Sequence, residues 1–488
     1  MVQGLGPQGA HTQSLEYTGS PLRTALSVAI IGGGWAGLAA AVELCTAGAS
    51  VTVYEAAKRL GGRARSVAID GRVLDNGQHI LIGAYRETLR LIRHVNRNID
   101  KCKEAQADHA SGNAGHQLST LLHRLPLTLQ HPAGNFRLRL PPSWLPLPAP
   151  LPLAIGLLGA RGVTLAEKRA AARFIHGLQA LDYQLDADSS VTSLLDRTGQ
   201  TGALRRMLWE PLCLAALNTP PEHASAQIFA NVLRDSLGGD RCATDLLLPA
   251  VDLGQLFPDA AATFIAARGG RIRLSCRIEH MTRDKQHWCI GDESFDHVII
   301  ATAPQHAVPL LTEHIETHSV ATQLGAYDYE PIGTVYAAYP PEVRLPAPML
   351  GLSDAAGNNL GQWAFDHGQL CRTPGLIAFV LSARGRWDER DNAALMVALH
   401  QELQAALRQQ LPFPTWHKTL RERRATFSCR PNLFRPNTST SLPGLHLAGD
   451  YVCADYPATL EGAVRSGIQA ARSILAASPI PPLPPGRG

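Results

Sequence analysis

The chain of 488 residues is 45% hydrophobic and carries 45 Lys+Arg against 41 Asp+Glu, a net charge of +4. That length and apolar fraction suffice for a large core divided between two interleaved domains. The charge is too mild and too broken, as at Arg421–Arg424 with Glu422 inside, for a nucleic-acid track; it suits a solvated face or an anionic-lipid contact. Nine cysteines without CxxC or metal-ligand spacing indicate neither a disulfide framework nor a metal site. A reducing, cytoplasmic compartment is the default expectation.

Residues 1–24 are polar, lack a basic run followed by an apolar one, and read as a disordered leader. From Val28 to Ile31 the chain is apolar and β-branched, as a buried parallel strand requires. Gly32-Gly33-Gly34-Trp35-Ala36-Gly37 follows, then a helix over Leu38–Thr46, a strand over Ser50–Tyr54, and Glu55. Gly32 permits the sharp turn, Gly34 lets a pyrophosphate approach the backbone, and Gly37 lets the helix pack close to the sheet. The helix N-terminus faces the phosphates, and Glu55 is spaced to accept hydrogen bonds from an adenosine ribose. Strand, glycines, helix, second strand and acid in that order predict a Rossmann-like dinucleotide-binding unit.

Arg59-Leu60-Gly61-Gly62-Arg63 supplies a glycine pair beside guanidinium groups, suited to a pyrophosphate. In Leu74–Ile80, Gly77 would let the backbone of Gln78 and His79 lie against a flat ring. Residues 100–120 read as a mobile polar loop. Residues 141–158 are apolar, but Pro146, Pro148, Pro150 and Pro152 argue against a continuous helix. They read as a proline-rich packed loop or as a non-helical lip of an apolar tunnel resting on a membrane surface. Helical periodicity runs over Leu165–Leu181 and Leu253–Arg268, and strands over Arg271–Ile278, Asp296–Thr302, Ile332–Tyr339, Leu376–Leu381 and Leu445–Ala448. Gly449-Asp450 and a closing helix from Glu461 precede a proline-rich tail at 477–488. The pieces 25–89, 246–304 and 416–476 therefore read as one discontinuous nucleotide-binding domain. Residues 90–245 and 305–415 read as an inserted α+β substrate domain. No run of about 20 apolar residues free of helix breakers predicts a transmembrane span.

The fingerprint, Glu55, Gly61-Gly62-Arg63, the Asp75–His79 turn, Leu447-Ala448-Gly449-Asp450 and Pro457–Ala463 together resemble the flavin-containing amine oxidase and phytoene desaturase superfamily. The resemblance implies FAD rather than NAD and a GR2-type Rossmann domain. It implies that Gly32, Gly34, Trp35, Ala36 and Gly37 wrap the pyrophosphate, with Gly61, Gly62 and Arg63 beside it. Gly77, Gln78 and His79 would border the flavin, and the backbone of Ile278 would meet the adenine. Gly449 and Asp450 would reach the ribityl-pyrophosphate. Ala458, Thr459 and Leu460 would offer a helix N-terminus to the isoalloxazine, stabilising an anionic reduced flavin.

A narrower similarity lies in Trp209–Pro220, Ala224–Ala226, Asp75–Tyr85, Arg423–Phe427 and Pro457–Gly467, which resemble the hydroxysqualene dehydroxylases, also described as squalene-associated FAD-dependent desaturases. It covers roughly residues 26–475 and implies reductive loss of an allylic hydroxyl from a long apolar isoprenoid, within squalene and hopanoid synthesis. The run Tyr451–Tyr456 departs from the Thr and Thr-Gly pattern usual there, adding Cys453, Asp455 and Tyr456 near the flavin. Cys453 reads as a buried small hydrophobe. Asp455, Tyr456 and His79 are the candidate proton donors. Alternative readings are a desaturase of a carotenoid precursor, a flavin amine oxidase, and a non-catalytic prenyl-lipid carrier like the GDP-dissociation inhibitors. Only six lysines occur, none in a flavin-facing motif, which disfavours the amine oxidase.

Overall fold

The computed structural model describes residues 26–104, 114–133, 135–145, 147, 151–237, 242–353 and 358–478. The leader 1–24, the tail from 479, and 105–113 of the expected loop lie outside the described residues. The described ends of that loop are helical, in Arg86–Glu104 and Ala114–Leu121.

Five parallel strands form the first sheet in the order Arg271–Arg273, Ser50–Tyr54, Ser27–Ile31, His297–Ile300, Leu445–Leu447. Each of the three separated sequence pieces contributes to it. Val28, Ala29 and Ile30 are fully buried, which is why this strand reads as a continuous apolar run rather than an alternating one. Helix Trp35–Thr46 packs on the closing helix Leu460–Ala477. The expected helix over 253–268 is two, Leu253–Leu256 and Pro258–Ala266, broken at Phe257 because Pro258 disfavours helical geometry in the residue before it. The strand expected over 271–278 ends at Arg273; Ser275 turns with a left-handed φ of 54°.

The second sheet is antiparallel, in the order Met349–Gly351, Trp363–Asp366, Leu376–Ser382, Tyr329–Ala338, Trp416–Phe427. Residues 416–427, grouped above with the nucleotide-binding pieces, pair along Tyr329–Ala338 and belong to this sheet. Side chains alternate across it. Val335, Ala337, Ile377, Phe379 and Leu381 pack beneath helix Asn392–Leu407 through Leu395, Met396, Leu399 and Leu403. The opposite face turns to the cavity described below.

Helix Leu165–Ala180 starts at a capping box, in which Thr164 and Glu167 satisfy each other's backbone N–H groups. Leu151–Gly159 is also a helix, against the non-helical expectation. Pro152 falls in its first turn, where the missing N–H has no intrahelical partner to lose; residues 146 and 148–150 lie outside the described residues. Among the described residues no helix is long and apolar enough to cross a membrane.

Candidate active site

A cavity of about 980 Å³ opens between the carboxyl ends of the parallel strands and the second sheet. The fingerprint forms one end of it. Gly32 holds φ at 116°, and a Cβ there would stand 2.7 Å from the Ala301 carbonyl oxygen, so only glycine fits. Gly37 is as constrained, since its Cβ would lie 2.0 Å from the Gly32 oxygen. Glu55 accepts from the N–H groups of Gly33 and Ala57, both at 2.7 Å, which orients its carboxylate at the strand end. Trp35 Nε1 donates to the Ala64 oxygen at 3.0 Å, and Gly61 N–H donates to the Gly33 oxygen at 2.9 Å, so the two glycine loops are stitched together.

Arg63 crosses the cavity wall, donating to Asp450 Oδ2 at 2.8 Å and to the Ala425 oxygen at 2.7 Å. Burial opposes its charge, but Asp450, with Glu422 adding to it, outweighs that and raises its pKa. At the far end Thr459 caps the closing helix by accepting from Gly462 N–H at 3.1 Å, and Ala458, Thr459 and Leu460 line the cavity. Three buried side-chain oxygens on the wall, Thr302 Oγ1, Gln305 Oε1 and Thr334 Oγ1, have no partner. A glycine-lined helix N-terminus, an oriented carboxylate, unpaired polar atoms and a second helix N-terminus suit an adenine dinucleotide carrying a flavin.

The family model described as flavin containing amine oxidoreductase matches residues 35–475. The chain belongs to that family. This oxidoreductase is FAD-dependent. It is 27% identical over 471 residues to a hydroxysqualene dehydroxylase of Rhodopseudomonas palustris, covering 92% of this chain and 99% of that one. It is 24% identical to a zeta-carotene desaturase of Synechocystis, covering 92% and 97%. Its fold matches that of cyclohexylamine oxidase from Brevibacterium oxydans with a TM-score of 0.60 at 19% identity, covering 93% and 99%.

In the oxidoreductase, all but one of the residues expected to contact FAD line the cavity: Gly32, Gly34, Trp35, Ala36, Glu55, Gly61, Gly62, Arg63, Gly77, Gln78, His79, Ile278, Gly449, Asp450, Ala458, Thr459 and Leu460. Gly37 is the exception, packed behind the turn.

The three candidate proton donors fare differently. Asp455 is exposed and off the cavity wall. Tyr456 is also off the wall: its hydroxyl donates to Asp235 and its ring lies under Arg465. Both were placed near the flavin by their nearness in sequence to Pro457, but the chain turns at Cys453–Tyr456 and carries them outward. His79 does line the cavity, but as an acceptor. Its Nδ1 contacts the Gly77 carbonyl oxygen at 2.9 Å; a carbonyl can only accept, so Nδ1 carries the proton and Nε2 the lone pair. Burial lowers its pKa, helped by Arg63 and partly opposed by the Gly77 oxygen, so the ring is neutral and a poor acid.

Several wall residues escaped the sequence reading. Thr334, Trp363, Phe365, Val380, Ser382, Leu420 and Glu422 line the cavity from the second sheet. Strand geometry places alternate residues on opposite faces, but the apolar runs at 363–365 and 376–381 do not mark in the sequence which face is lined. Leu214, Ala215, Ala216 and Asn218 bring the Trp209–Pro220 segment into the wall, just past a π-helical turn at Arg205–Trp209. Arg435 was also missed. It donates to the carbonyl oxygens of Tyr451 and Cys453 at 2.7 Å and of Tyr456 at 3.2 Å, gathering the loop that follows Asp450.

Proposed function

We propose that this FAD-dependent oxidoreductase removes the allylic hydroxyl of hydroxysqualene, releasing water and leaving squalene. The observation that carries this reading is the wall beyond the FAD motifs: Leu214, Ala215, Ala216, Ile332, Trp363, Phe365, Val380 and Leu420 form an apolar surface with no lysine among the described lining residues. Such a wall binds a hydrocarbon chain by area burial at roughly 25 cal/mol per Å² and offers an amine no paired carboxylates. The end-to-end similarity to a hydroxysqualene dehydroxylase supports the same substrate.

Bound FAD, when reduced, supplies the hydride that replaces the hydroxyl. The chain supplies the rest. The glycine loops, Glu55, Arg63 and Asp450 would hold the cofactor, with Ile278 toward its adenine and Ala458–Leu460 toward its ring. The apolar wall excludes water, which would otherwise recapture the allylic cation left when the C–O bond breaks. Trp363 and Phe365 offer ring faces that stabilise positive charge. Glu422 lines the same cavity from the outer strand Trp416–Phe427, paired with Ile332, and in place of Asp455 and Tyr456 it would give a proton to the departing hydroxyl.

Incubating the enzyme with a chemical reductant and either hydroxysqualene or a carotenoid precursor, with mass spectrometry of the lipids, tests the reading. Squalene from the first and no change in the second is expected. New double bonds in the carotenoid precursor would favour the desaturase reading instead.

The enzyme also meets its lipid at a membrane surface on this reading. Leu151, Ile155 and Leu158 share one exposed face of helix Leu151–Gly159, and Trp144, 77% exposed, and the exposed Arg137, Arg139 and Arg161 flank it in sequence. An apolar face with basic flanks suits an anionic bilayer. No described residue of 141–158 lines the cavity, so the surface proposed for the bilayer is separate from the described cavity wall. Replacing Trp144 and Leu158 together by Asp should abolish co-sedimentation with vesicles containing phosphatidylglycerol; unchanged binding would remove this surface from the role.

A further inference from the structure

The register of the second sheet sets a single hydroxyl into an otherwise hydrocarbon row. Trp363 aligns with Val380, Val380 with Thr334, and Thr334 with Leu420, and all four line the cavity. Thr334 is 1% exposed, and its Oγ1 has no hydrogen-bond partner. Valine would fill the same volume in the same strand without that hydroxyl. Leaving a buried hydroxyl unpaired costs about 1–3 kcal/mol, so its presence asks for a partner that arrives with the ligand.

A second polar atom waits beside it. A Cβ built on Gly77 would stand 3.8 Å from Thr334 Oγ1 and 3.7 Å from His79 Cε1, so both groups border one small space next to that glycine. Because His79 Nδ1 is committed to the Gly77 oxygen, the Nε2 lone pair is the acceptor left on the ring. A donor and an acceptor facing one gap in an apolar wall match the two needs of an alcohol, whose oxygen accepts one hydrogen bond while its proton donates another.

We propose that Thr334 and His79 together bind the hydroxyl of the lipid substrate, Thr334 donating to its oxygen and His79 Nε2 accepting its proton, and that Thr334 sets the preference for an isoprenoid alcohol over the matching hydrocarbon. This rests on the reading above that the substrate is a lipid alcohol. A hydrocarbon of the same length leaves both polar groups buried and unpaired, and a site built to hydrogen-bond a hydroxyl rejects ligands that lack one. The clamp also favours release of the product, which has lost the group it holds.

The test is equilibrium binding to the oxidised, FAD-loaded enzyme, which holds no hydride and so binds without turnover. Perturbation of the flavin absorbance reports the affinities for hydroxysqualene and for squalene. Thr334→Val should weaken alcohol binding about tenfold, the equivalent of one hydrogen bond of about 1.4 kcal/mol. Squalene binding should hold or tighten, with the flavin content unchanged; Thr334→Ser should keep the wild-type preference. A Thr334→Val enzyme whose alcohol-to-hydrocarbon ratio equals that of the wild type would overturn the proposal, as would a wild-type enzyme that binds squalene more tightly. Repeating the comparison with farnesol and farnesene separates this from the choice of substrate. If hydroxysqualene yields no squalene yet Thr334→Val still erodes the preference for farnesol, the clamp stands and only the identity of the alcohol changes.

Discussion

Two arginines brace the walls and loop where FAD is expected, and they do so differently. Arg63 pairs with Asp450 across more than 380 residues of sequence and also caps the Ala425 carbonyl. Asp450→Asn removes the charge that stabilises this guanidinium beside the pyrophosphate site, and FAD affinity should fall about tenfold or more, the order of one lost charge-assisted hydrogen bond. Recovery of FAD fluorescence on dilution measures it; an unchanged dissociation constant would separate the pair from cofactor binding. Arg435 instead works through geometry, its planar fork reaching several carbonyl oxygens of the 450–456 loop while its guanidinium lies 4.3 Å from the Phe427 ring centroid. Lysine keeps the charge but not the fork. Arg435→Lys should therefore cost about 1–3 kcal/mol in urea unfolding, an estimate for orphaned buried carbonyls, and loosen FAD as well. Legibility at this scale followed locality. The residues expected to contact FAD sit in short motifs whose spacing is itself the chemistry. Thr334 and Arg435 carry no local mark, because one acquires its place from strand register and the other from a loop fold.

Among the elements, the crossing of helix Trp35–Thr46 with the closing helix Leu460–Ala477 joins the two ends of the domain. Gly467 makes it possible: a Cβ there would stand 2.0 Å from the Ala36 carbonyl oxygen. Gly467→Ala must push the helices apart, and overpacking of this kind costs about 1–3 kcal/mol. The shift would also displace Thr459 and Leu460 from the flavin end, so stability in urea and flavin content should fall together; loss of neither would mean that the crossing yields without cost. The parallel strands and their helices were legible because burial on both faces leaves continuous apolar runs. Trp416–Phe427 was not, because its charged run marks no buried face in the sequence and only pairing with Tyr329–Ala338 decides its sheet. Pro152 misled for a local reason. A proline forbids a helix through its own position from the N-terminal side, but it permits one to begin there.

Across the whole molecule, buried histidines set the response to acid. His131, His367 and His446 are each pushed down to about 4 by burial, from an ordinary value of 6.5. The unfolded chain therefore takes up protons between pH 6.5 and 4 that the folded chain refuses, so stability is full above that window and is lost as the pH falls through it. Asp75 opposes them. Burial raises its carboxyl to about 7 from 3.8, so it favours the fold toward lower pH across that span. Three groups outweigh one, and the urea midpoint should drop steadily from pH 7 to pH 5; a flat or rising midpoint would mean that these histidines are protonated in the fold.

The same molecule-wide arrangement, FAD motifs at one end of a cavity and a water-excluding apolar wall at the other, leads to the reductive chemistry. Its most direct test is an anaerobic single turnover. Enzyme photoreduced without oxygen is mixed with hydroxysqualene while the flavin absorbance is followed, and the lipid is then quantified. One squalene formed for each flavin reoxidised is the predicted result. Reduced flavin that persists in the presence of hydroxysqualene, with no squalene formed, would contradict it.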